Sequence, residues 1–140
     1  MIMTETADQA EGIRWGRAFL AALVVEVVLA IGAAPVALMS ATPVSVLNAA
    51  IPPASFIVSL LVVLWLFRRT ERPVANGVAT GIMSLVIYLV LALIAYWLAP
   101  EQADFSQAAD LPYLASHALK ILGGAAGGYL ISRRRAGAIG

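Results

Sequence analysis

Apolar residues in this chain come in four long runs, and the polar residues that interrupt them are few enough to name. The runs cover 18–39, 52–67, 74–98 and 113–132. Each approaches the ~20 residues that a helix needs to cross hydrocarbon. In that solvent a spanning segment has to satisfy its own backbone hydrogen bonds, so runs of this length read as helices. The pattern predicts an all-α membrane protein, a single integral domain over 1–140 folded as a bundle of four transmembrane helices. Pro52 and Pro53 open the second and shortest run, where a missing N–H costs nothing in a first helical turn. That leaves 40–51 as a polar cap, from which Ala49, Ala50 and Ile51 can extend the apolar length of the span. Pro100 ends the third run, and Asp110 followed by Pro112 supplies a cap and first turn for the fourth.

Composition supports lipid as the solvent: 61% of residues are hydrophobic and 12% charged, against roughly 45–50% and 25% in globular chains, and the mean hydropathy is +0.90. A net charge of +1 offers nucleic acid nothing to bind. The absence of cysteine removes disulfides, thiol redox chemistry and thiolate metal sites.

Basic residues then give the orientation. Arg14 and Arg17 precede the first run, Arg68, Arg69 and Arg72 separate the second from the third, and Arg133, Arg134 and Arg135 follow the fourth. The other two connections carry no Lys or Arg. By the positive-inside rule both termini and the middle connection are expected in the cytoplasm, with the protein in the cell membrane, inner or plasma. Trp15, Phe19, Trp65, Phe67 and Tyr129 are expected as interfacial anchors on that side, and Tyr96, Trp97 and Tyr113 on the other. The first run exceeds the roughly 7–15-residue core of a signal peptide and is expected to span. The segments with Glu5, Asp8 and Glu11, and with Glu101, Asp104 and Asp110, read as a tail and a solvated loop.

Membrane helices pack through small residues at spacing four. Such a stripe runs along every helix. On the first it holds Ala18, Ala22, Glu26, Ala30 and Ala33; on the second, Ser55 and Ser59; on the third, Gly77, Gly81, Ser84, Tyr88 and Ala92. The fourth carries Gly123, Gly124, Gly127 and Gly128 as two overlapping GxxxG pairs, with Lys120 and His117 continuing the stripe. These glycines are the expected packing residues within the bundle or in a homo-oligomer.

Charges at hydrocarbon depth are costly and mark paired or functional positions. Glu26 lies about 13 Å beyond Arg17 and Lys120 about 20 Å before Arg133 at the helical rise. A Lys stem spans much of that offset, so an ion pair is expected if the two helices touch. Ser59 and Tyr88 fall at matching levels and, with His117, make one expected polar cluster. Two readings of it stand side by side. In one, Glu26 and Lys120 neutralise each other and fix helix register, in a structural or accessory component of a homo-oligomer or larger membrane assembly. In the other, Glu26 is a proton or cation site in a small proton-coupled transporter. His117 alone makes neither a bis-histidine haem site nor a zinc site. No catalytic motif is present. No enzyme activity, cofactor or metal is expected, and the partners are the bilayer and other membrane helices.

Four short spans with one Glu in the first, in the context Val25-Glu26-Val27, resemble the small multidrug resistance transporters, in which a first-helix Glu binds proton and cationic drug in turn. The resemblance covers that residue and the helix count. The arginine asymmetry, the longer second external connection and Lys120 are departures from it.

Overall fold

The computed structural model describes residues 12–38, 44–98, 100 and 110–138. They form four helices: α1 Trp15–Leu38, α2 Val44–Leu66, α3 Pro73–Leu98 and α4 Leu111–Gly137. The protein is an all-α bundle, and α1, α2 and α3 are long and apolar enough to cross a membrane. The acidic tail, residues 40–43 and the loop acids Glu101 and Asp104 lie outside the described residues.

The helices form a ring in the order α1, α2, α4, α3. Within it α4 packs extensively on α2 and α3, α1 packs on α2 and α3, and α1 and α4 make no direct backbone approach. Although 27 residues long, α4 is not among the three strongly apolar helices. Its polar positions explain this: Ser116, His117 and Lys120 are all buried inside the ring.

Glycines set the tightness of that packing. On α4 the two overlapping pairs serve different neighbours. A Cβ at Gly123 would collide with the carbonyl oxygen of Phe56, and one at Gly127 would come within 2.8 Å of that of Leu60, both on α2. At Gly124 the obstacle is the carbonyl oxygen of Gly77, and at Gly128 that of Pro73, both on α3. Gly81 completes the α3 side, where a Cβ would meet the Cα of Ile121 at 2.5 Å. All six glycines are therefore used within the chain, in backbone contacts that membrane helices reach through small residues.

Two expectations change. Residues Val44 to Ile51 are helical and belong to α2, so Pro52 and Pro53 sit inside a helix and not at its start. They deprive the carbonyls of Asn48 and Ala49 of their helical donors, a loss that membrane helices tolerate when neighbours or solvent supply others. The alanine stripe of α1 also holds for only half its length. Ala18 and Ala22 are buried, whereas Glu26 and Ala33 are half-buried and Ala30 is exposed. Beyond Glu26 the stripe, with Ala30 and Ala33, lines a cavity instead of a helix contact.

The core accordingly sits in the arginine-bearing half, where Ala18, Ala21, Val25, Val62, Val63, Phe67, Ala79 and Ile131 cluster. Hydrogen bonds tie that end together. Asn76 Oδ1 accepts from the backbone N–H of Arg14 at 2.8 Å while its Nδ2 donates to the Arg72 carbonyl at 2.8 Å. Arg135 donates to the carbonyls of Thr70 at 2.6 Å and Arg68 at 2.7 Å, closing the α2–α3 connection with the last turn of α4. Phe67 belongs to this core and not to the interfacial belt, whereas Trp15, Trp65 and Tyr129 are exposed as anchors would be.

Candidate functional site

Halfway along the bundle the interior changes from alanine and valine to charge. Lys120 Nζ lies 2.6 Å from Glu26 Oε1, with both side chains largely removed from solvent. Because α1 and α4 stand diagonally across the ring, the long Lys stem makes a contact that their backbones do not. Ser84 Oγ, on α3, donates to the same carboxylate oxygen. One carboxylate thus joins three helices.

Ser84 was legible in the sequence by the same depth arithmetic that paired Glu26 with Lys120. It lies twelve residues beyond Arg72, about 18 Å along the helix and between the levels of its two partners. Ser59, expected near Glu26, is not among its partners. It is buried on α2 with no hydrogen-bond partner, as is Ser55 one turn away.

Tyr88 and His117 are brought together, with Tyr113 as a third member. The ring centroids of Tyr88 and Tyr113 are 5.1 Å apart, those of Tyr88 and His117 5.0 Å, and those of Tyr113 and His117 4.6 Å, all in edge-to-face arrangements. That geometry sets positive ring edges against negative faces. Tyr113 therefore packs inside the bundle and is not a free interfacial anchor. Within this cluster His117 Nδ1 is buried without a partner. At the start of α4, Asp110 occupies the N-cap position with extended backbone. Its side chain makes no capping bond, and its carbonyl accepts from the N–H groups of Tyr113 and Leu114.

Above these groups, in the half away from the arginines, lies a cavity of about 660 Å³. Its walls come mainly from the apolar faces of α1 and α2, including Leu29, Val36, Leu47 and Val58. Its polar lining is Glu26, Lys120, Tyr88, Tyr113, His117, Ser55 and Ser116. The residues of α2 ahead of its prolines, Val46, Leu47, Ala50 and Ile51, are part of the wall. The helical part of α2 ahead of its prolines thus gives the cavity its depth.

A volume in the range of roughly 300–1,000 Å³, apolar walls and a few convergent polar groups are the usual features of a small-molecule site. Two of the lining groups, Ser55 Oγ and His117 Nδ1, are buried without a partner. Buried polar atoms are normally satisfied, so each of these is a place for a hydrogen bond from something else. No family model matches the chain, and neither the curated proteins nor the solved structures give a match.

Proposed function

We propose that this chain is a small, non-enzymatic membrane transport protein that takes an amphipathic molecule into the cavity above Glu26 and Lys120. The observation that carries the reading is one-sidedness. The cavity reaches the buried ion pair from the arginine-poor half, while the core and the Arg135 and Asn76 hydrogen bonds close the other half. A carrier waiting to load from one side of a membrane has this form. With the arginine clusters cytoplasmic, as the positive-inside rule requires, both termini lie inside and the cavity belongs to the external half of the cell membrane.

A second reading has its own support. Glu26 is held by two donors, as a register-fixing charge would be, in a structural or accessory component of a homo-oligomer or larger membrane assembly. Because the six packing glycines are engaged inside the chain, such an assembly would form through the apolar outer faces, for instance Leu89, Val90 and Leu93 of α3.

The natural absence of cysteine makes the decisive experiment simple. An Ala54→Cys variant places a thiol in the cavity wall, and Ala79→Cys places one in the core. Under the transport reading an impermeant maleimide added outside right-side-out vesicles labels the first and not the second, and single-chain amphiphiles slow that labelling. Equal, amphiphile-insensitive labelling at the two positions would leave only the structural reading.

A further inference from the structure

The groups around the cavity floor differ in what they have left to offer. Lys120 carries three N–H donors, one of which goes to Glu26; the other two have no protein acceptor among the described residues. Ser55 Oγ and His117 Nδ1 are buried and unpartnered. Glu26, by contrast, already accepts from Ser84 and Lys120 on the same oxygen. The spare donors at the floor are therefore the two remaining N–H bonds of the Lys120 ammonium and the Ser55 hydroxyl, with His117 Nδ1 open to take a proton. A cationic head group would have to face Lys120 at close range and displace it from Glu26. A head group rich in acceptor oxygens meets no such conflict.

The walls specify the rest of the molecule. Leu29, Val36, Leu47 and Val58 on α1 and α2 are apolar, and most of the polar groups, His117 and Lys120 among them, stand opposite on α3 and α4. A ligand that matches both has a polar head at the floor and an apolar tail lying between α1 and α2. We infer that the cavity binds a single-chain amphiphile with an acidic head, of the class of long-chain carboxylic acids, its head held by Lys120 and His117; this rests on the transport reading above.

Charge balance supports the assignment. Glu26 and Lys120 together are neutral, so an added carboxylate would leave one unmatched negative charge in a site of low polarity, which is costly. The acid carries its own remedy. It enters undissociated, its O–H bond breaks and the proton forms an N–H bond at Nδ1 of His117. Two carboxylates then stand against the Lys120 ammonium and an imidazolium, and the site remains neutral. Ser55 donates to the second carboxylate oxygen. The edge-to-face contacts of Tyr88 and Tyr113 hold the imidazole ring in place for this transfer.

The test uses the full chain in nanodiscs of zwitterionic lipid with a long-chain fatty acid labelled with carbon-13 at its carboxyl. The controls are an alcohol and an alkyl trimethylammonium of equal chain length, and an anionic two-chain phospholipid. The fatty acid is expected to bind at least about tenfold more tightly than the alcohol, the margin that charge-assisted hydrogen bonds provide. Its carboxyl resonance should report the ionised form in the native protein and the undissociated acid in His117→Phe, a ring that keeps the packing and cannot take the proton. Ala54→Phe, which fills the wall, should abolish binding of acid and alcohol alike. If acid and alcohol bind equally, or if the His117→Phe variant still holds an ionised carboxyl, the head-group assignment is overturned while the cavity remains a ligand site. Equal competition by the two-chain phospholipid overturns the single-chain assignment. If no amphiphile binds, the transport reading falls with it.

Discussion

The half of the bundle that carries the arginines and the half that carries the cavity are built from the same four helices, yet they use their residues in opposite ways. In the first, alanine, valine and glycine bring backbones together, Asn76 and Arg135 bond to the backbone of other segments, and Thr70 and Thr80 bond to carbonyls one turn back in their own. In the second, α1 and α2 turn exposed faces outward beyond Glu26 and Ala54, and the polar groups between them, Ser55 and His117, are left without partners. Glu26, Ser84 and Lys120 sit at the boundary. The difference teaches that the ion pair does not merely fill the core: it ends the core, and everything beyond it is arranged around a space.

The largest test of that division is a side chain where two backbones touch. Gly124→Leu would drive its first carbon into the Gly77 carbonyl, with no flexible group to yield, and is expected to cost more than about 4 kcal/mol or to prevent folding. Ala34→Leu, on the exposed face of α1 in the open half, should stay within about 0.5 kcal/mol. Heating each variant in detergent and following helicity by circular dichroism gives both values. A tolerated leucine at position 124 would mean that the closed half is not close-packed.

Next in size is the boundary itself. Removing one member of a buried pair strands the other, so Glu26→Gln and Lys120→Met should each cost roughly 3–5 kcal/mol. The double variant should recover much of that, because two neutral side chains replace two charges. If the double is no more stable than the worse single, the two residues are not coupled and the boundary is drawn elsewhere. A smaller effect belongs to the arginine end. Arg135→Lys keeps the charge but cannot serve two carbonyls with one planar fork, and a loss of about 1 kcal/mol is expected from the partly exposed bonds to Arg68 and Thr70.

How much of this was legible in the sequence depends on the range of the interaction. The four helices follow from run length and the arginine punctuation, because lipid imposes both on any spanning chain. Glu26 and Lys120 could be matched because depth along a straight helix is a count of residues. Which helices stand side by side could not. The overlapping GxxxG pairs announce close approach but not toward which helix, and only the fold shows Gly123 and Gly127 on α2 with Gly124 and Gly128 on α3. Pro52 and Pro53 look like a helix start because that is where proline costs least; here the helix runs through them. The cavity had no local signature at all, since it is made by two helices parting and no residue type codes for a gap.

The finest test compares Ser55 with Ser59. They are the same residue one turn apart on α2, both fully buried and both without a hydrogen-bond partner, but only Ser55 lines the cavity. An unsatisfied buried hydroxyl contributes nothing favourable, so replacing it with a methyl group is expected to change stability by less than about 0.5 kcal/mol, toward stabilisation if at all. Ser59→Ala should do only that. Ser55→Ala should match it in thermal stability and additionally weaken amphiphile binding by about fivefold, one hydrogen bond's worth, in the nanodisc titration. Stability alone would make the two serines equivalent. A difference confined to binding would place the line between core and site within a single helical turn.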